Sequence, residues 1–93
     1  MEKTQAHVIF KGRVQGVNFR SFVQRTAITQ NVGGWVRNLP DATVEAVFEG
    51  DRAAVEETIK KCRTGPAYAN VQDAQIEWSP FEGNSGGEFH IKY

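Results

Sequence analysis

The run Gln15-Gly16-Val17-Asn18-Phe19-Arg20 holds the residue types and spacing best suited to chemistry. A strand-like pattern ends at its start, and a helical pattern begins within it. The first turn of a helix exposes unpaired backbone N–H groups and a partial positive charge, which together attract anions. Gly16 lets the backbone approach a ligand closely and form a nest of amides. Arg20 falls in the first helical turn, where a cation is electrostatically disfavoured, and such local conflicts collect at working sites. Its guanidinium can grip two phosphate oxygens at once. On spacing alone the run reads equally well as a glycine-containing βα turn with a solvated Arg. It is not a Walker P-loop, because no Gly-Lys-Ser/Thr follows. Asn38 is the second candidate. Its amide donates and accepts hydrogen bonds without changing charge, so it can orient a water beside a bound phosphate. Its competing reading is a plain strand-to-turn Asn before Leu39-Pro40-Asp41.

These residues need a scaffold, and the apolar periodicity supplies one. Residues 6–15 alternate, with Val8, Phe10 and Val14 on one face and His7, Lys11 and Arg13 on the other, which predicts a strand. Phe19, Phe22, Val23, Thr26 and Ala27 then form one stripe of an amphipathic helix, which should stop near Asn31-Val32-Gly33-Gly34. Trp35–Asn38 and Thr43–Glu49 read as two strands of a hairpin across Leu39-Pro40-Asp41-Ala42. Asp51 offers an N-cap to a second helix with Val55, Ile59 and Cys62 inward, ended by Thr64-Gly65-Pro66. Residues 71–78 alternate again, with Ala74, Ile76 and Trp78 inward. A Gly/Ser-rich loop over 79–87 leads to a short last strand marked by Phe89, Ile91 and Tyr93.

The order β-α-β-β-α-β with a short terminal strand predicts an α+β, ferredoxin-like split βαβ sandwich: an antiparallel sheet with two helices on one face. In that plan the first two strands run parallel with the third between them. The start of the first helix and the end of the second strand then share one sheet edge, about 10 Å apart. An Arg side chain plus a small anion bridges such a gap.

Composition narrows the function. The chain has 93 residues, room for one domain over 1–93, with no repeat or linker. With 11 Lys+Arg against 11 Asp+Glu it carries a net charge of +0, which argues against a nucleic-acid or anionic-membrane binder. The single cysteine, Cys62, excludes an internal disulfide and a cysteine-based zinc cluster. No apolar run reaches the roughly 18 residues of a membrane span, and the polar start is unlike a signal peptide, so the chain reads as cytoplasmic. His7 and His90 read as exposed sheet positions without metal-ligand spacing, and Cys62 reads as core. Nothing pairs Asp41 with Glu45 as an acid/base couple.

The segment Gly12-Arg13-Val14-Gln15-Gly16-Val17-Asn18-Phe19-Arg20 closely resembles the G-R-V-Q-G-V-x-F-R motif of the acylphosphatases. Gly34-Trp35-Val36-Arg37-Asn38, followed by Asp41, Thr43, Val44 and Glu45, resembles their second motif, G-W-V-R-N-x-x-D-G-T-V-E. Gly65-Pro66-Ala67-Tyr68-Ala69-Asn70-Val71 matches their G-P-x-x-A-x-V segment, so the resemblance spans nearly the whole chain. It implies hydrolysis of acyl phosphates to a carboxylate and inorganic phosphate, without cofactor or metal. It also implies that Arg20 and the amides of Gln15, Gly16, Val17, Asn18, Phe19 and Arg20 bind phosphate, and that Asn38 positions the attacking water. The implied partners are a small acyl phosphate and inorganic phosphate, with no nucleic acid or membrane, and the protein acts as a monomer.

Two positions depart from the family pattern. Ala42 stands where the motif has Gly, which strains the turn if that position needs φ > 0. Asn31 replaces a Gly at the end of the first helix, a change that Asn tolerates. Two other functions share the fold. An RRM-like RNA binder needs an aromatic R/K-G-F/Y-G/A-F-V-x-F/Y strand that this sequence lacks. Acylphosphatase-like domains also sit inside larger carbamoyl-phosphate-handling maturation proteins; a self-contained chain without linkers argues against that role.

Overall fold

A computed structural model describes residues 2–93. In chain order the elements are β1 (Lys3–Arg13), α1 (Phe19–Thr29), β2 (Gly33–Asn38), β3 (Val44–Asp51), α2 (Arg52–Thr64), β4 (Asn70–Pro80) and β5 (Phe89–Ile91). The strands form one sheet in the order β4-β1-β3-β2-β5. β3 lies antiparallel to both β1 and β2, so β1 and β2 point the same way. The ends of β1 and β2 therefore meet at one edge, as the element order requires.

Period-two burial builds the inner face. Ala6, Val8 and Phe10 of β1, Val44, Ala46 and Phe48 of β3, and Val36 of β2 are fully buried. Phe19, Val23 and Ala27 of α1 and Val55, Ile59 and Cys62 of α2 close over them, α1 packing on β2 and β5 and α2 on β1, β3 and β4. Phe10 sits edge-on to both Phe19 and Phe48, with ring centroids 5.2 and 6.5 Å apart. These contacts lock the start of α1 onto the centre of the sheet.

The structure departs from the expected pattern in five places. β5 pairs parallel to β2, so the sheet is mixed, not purely antiparallel. Tyr93, expected to mark the last strand, lies beyond β5 and is solvent-exposed. Ile76 faces the helix side, opposite Val8, but is 37% exposed because β4 is an edge strand that the helices only partly cover. Asp51 occupies the N-cap of α2 without a side-chain cap bond; the Arg52 N–H donates to the Glu2 carbonyl (2.9 Å). Thr58 is buried within the apolar stripe of α2, where its hydroxyl donates to the Ala54 carbonyl (2.8 Å).

Candidate active site

The loop between β1 and α1 shapes the site. Gly16 and Asn18 both adopt left-handed conformations, with φ of 74° and 62°, and flank a residue that does not. Alternating handedness turns successive N–H groups toward one side, the geometry of an anion nest. A Cβ on Gly16 would meet no protein atom within 4 Å, so the space over this loop is open. Asn18 is the N-cap of α1 but makes no side-chain cap bond, and the first turn contains no acidic residue. The backbone N–H groups of residues 15–18 have no acceptor among the described residues, and those of the first turn lack intrahelical partners. The positive end of α1 is thus left uncompensated.

Across from this loop stands the end of β2. Val14, Gly16, Asn18, Phe19, Arg20, Ser21, Asn38, Ile91 and Tyr93 enclose a pocket of about 210 Å³. That volume holds a small anion together with water, at about 30 Å³ per water. Arg20 is half-buried and makes no ion pair with any carboxylate among the described residues. Its guanidinium lies 5.0 Å from the centre of the Tyr93 ring. The Oδ1 atom of Asn38 is buried with no hydrogen-bond donor among the described residues, an exception to the rule that buried polar atoms are satisfied. Among the described residues, no Asp, Glu or His lines the pocket. It can therefore bind oxyanions and hold a water, but its described lining offers no carboxylate or imidazole side chain for proton transfer.

Five of the residues singled out from the sequence, Gly16, Asn18, Phe19, Arg20 and Asn38, come together around this pocket. The side chains of Gln15 and Val17 turn elsewhere, Gln15 to the β2–β3 turn and Val17 against the core. Sequence reasoning missed Val14, Ser21, Ile91 and Tyr93 as lining residues. The only available signal for Ser21 was its place next to Arg20. Tyr93 arrives because the Lys92 N–H donates to the Val36 carbonyl (2.8 Å), extending the parallel pairing toward the pocket.

Elsewhere the titratable groups are structural. Glu45 pairs with His7 and Arg37, both at 2.6 Å, across three strands on the open sheet face. Burial pushes its carboxyl up, but the bonds from His7 and Arg37 outweigh this and hold it below its ordinary 4.5. Asp41 is held low by the Thr43 hydroxyl and then by the Thr43 N–H, which fixes the hairpin turn. Burial pushes the Cys62 thiol up to about 12. A larger groove of about 450 Å³ between the helices brings Arg25 and Lys61 together, away from both Arg20 and Asn38.

Fold and pocket together define an α+β protein with an oxyanion-sized, donor-rich cleft at a helix start. A family model described as acylphosphatase matches residues 6–91. An acylphosphatase of Pelotomaculum thermopropionicum is 46% identical over 87 residues, 94% of this chain and 95% of that protein. The crystal structure of acylphosphatase from Bacillus subtilis superposes with a TM-score of 0.92 at 34% identity, covering 97% of this chain and 99% of that one. HypF from T. kodakarensis contains a similar region (TM-score 0.80, 32% identity) that covers 95% of this chain but 12% of its own. The chain belongs to the acylphosphatase family.

Proposed function

We propose that the pocket carries out the family reaction, hydrolysis of the carboxyl–phosphate bond of acyl phosphates, with Arg20 and the loop amides holding the phosphoryl group and Asn38 orienting the water. The observation that carries the division of roles is the donor-free, buried Oδ1 of Asn38 in the same pocket as the unpaired Arg20. The water donates a hydrogen bond to that oxygen and turns a lone pair toward phosphorus. The acyl phosphate dianion and water yield a carboxylate and dihydrogen phosphate, so atoms and charge balance.

A lining without Asp, Glu or His among the described residues fits this substrate. A carboxylate leaving group has a conjugate-acid pKa of about 4 and departs as an anion without protonation. An alkyl phosphate monoester expels an alkoxide, whose conjugate acid is closer to the about 15.7 of water, and is best served by a carboxylic acid or imidazolium donor, which the described lining of the pocket does not include. The proton of the attacking water passes to the phosphoryl oxygens. Phosphoryl transfer then rests on positioning and on stabilising charge on the equatorial oxygens. Each well-placed donor contributes on the order of 3 kcal/mol by analogy with oxyanion holes.

The natural setting belongs to the same proposal: one copy of the chain acting in the cytoplasm on small acyl phosphates, without nucleic acid. The free, buried thiol of Cys62 suits a reducing compartment. The experiment is hydrolysis of an aryl acyl phosphate in excess chelator, with a phosphate monoester alongside. Rapid release from the acyl phosphate alone supports the reading; chelator-sensitive release, or equal release from the monoester, overturns it.

A further inference from the structure

We propose that the side chain of Gln15 is a positioning residue that holds Asn38 in register with the phosphate loop; this rests on the water-orienting role of Asn38 given above. The Gln15 amide nitrogen donates to the Leu39 carbonyl and to the Thr43 carbonyl, both at 2.8 Å. Those two carbonyls close the β2–β3 turn. Leu39 N–H donates to Thr43 O (2.9 Å), Ala42 N–H donates to Leu39 O (3.3 Å), and Leu39 directly follows Asn38.

The topology explains why such a tie is needed. β1, which leads into the loop, and β2, which carries Asn38, are not neighbours; β3 separates them. The last β2–β3 pair is Asn38 with Val44, and the last β1–β3 pair is Phe10 with Val44. Beyond Val44 no ladder pair among the described residues joins the turn to the chain that forms the anion nest. Gln15 makes that connection. It sits immediately before Gly16, and it spends both amide hydrogens on the far turn. One residue thus spans the two halves of the site. Met matches its length but supplies no donor. Glu would set acceptors against acceptors.

Gln15→Met separates this role from the cradle. The backbone N–H groups of residues 15–20 survive the substitution, so inhibition by inorganic phosphate stays within about threefold of the parent. Turnover of an aryl acyl phosphate falls about 100-fold, the scale for a catalytic group displaced by roughly 1 Å. In an Asn38→Ala background the same substitution costs less than about threefold more, because the residue it positions is gone. Independent, multiplicative losses in the double variant overturn the proposal, as does unchanged turnover. So does weakened phosphate inhibition that tracks the loss of turnover. Near-parent turnover of Asn38→Ala alone refutes the role of Asn38 and the proposal with it, which separates the two failures. Should Gln15→Met not fold, Gln15→Asn keeps the amide one methylene short and gives the same test: turnover lost with phosphate inhibition retained supports the proposal, and full turnover overturns it.

Discussion

Ala42 gives a prediction whose size follows from one backbone angle. It sits in the β2–β3 turn at φ 73°, in the left-handed region where an L side chain crowds its own carbonyl. The conformation costs a non-glycine residue about 1–2 kcal/mol. Glycine removes that cost but adds unfolded-state entropy worth about 0.4–1 kcal/mol. With the middle of each range, about 1.5 less about 0.7, Ala42→Gly is expected to stabilise the protein by about 0.8 kcal/mol. For a domain of 93 residues, 1 kcal/mol shifts Tm by about 4–8 °C, so the expected rise is about 3–6 °C. The turn stays tied by the Gln15 amide and by Asp41 to Thr43, so turnover stays within about twofold. Thermal melts and acyl phosphate turnover on the same preparation check both parts. An unchanged or lower Tm refutes the strain, and a large change in turnover refutes the independence of turn strain from the site.

Arg20→Lys lowers turnover by at least about 10³-fold, because an ammonium cannot reproduce the planar fork and one lost donor alone costs about 10²–10³; steady-state kinetics check it, and near-normal turnover contradicts the assignment. Cys62→Ala leaves a void in the core and lowers stability by about 1–2 kcal/mol without changing turnover of the folded protein, read by urea unfolding and kinetics together. The native Cys62 thiol, pushed up to about 12 by burial, reacts slowly with an alkylating agent at pH 8 until urea exposes it. Glu45 is ionised more readily folded than unfolded, so its pairing stabilises at neutral pH and fades as pH falls through its folded value. Glu45→Gln accordingly lowers the unfolding free energy read from urea titration at pH 7, by no more than about 1 kcal/mol, and the difference shrinks toward pH 3; a difference that grows on acidification contradicts the pairing.

Much of the fold was legible because periodicity records which face of an element is buried. The alternation of Ala6, Val8 and Phe10 and the stripe of Phe19, Val23 and Ala27 give strand, helix and core without any knowledge of partners. Asn31 at φ 59° ends α1 in the left-handed conformation its side chain tolerates. What periodicity omits is which neighbour lies alongside and how far a cover extends. Ile76 alternates correctly yet remains exposed, because its strand lies at the sheet edge. Asp51 has the chemistry of a cap, but a backbone carbonyl from Glu2 meets the Arg52 N–H. Within the site, Arg20 and Asn38 stood out through local chemistry and through the edge shared by β1 and β2. Tyr93 and the reach of Gln15 did not, because both depend on contacts spanning 24 residues or more: the Gln15 bond to Leu39 and the parallel pairing of β5 with β2. The open-face pair of His7 with Glu45, 38 residues apart, escaped notice for the same reason.

Titration of the ¹⁵N-labelled protein with inorganic phosphate, followed through its amide resonances, tests the central claim most directly. The loop geometry predicts saturable shifts that are largest at the backbone amides of residues 15–21 and at the Arg20 side chain, with Asn38 following. Shifts centred on the groove of Arg25 and Lys61, or no saturable shifts in a folded protein, would contradict the placement of the phosphoryl group and the mechanism built on it.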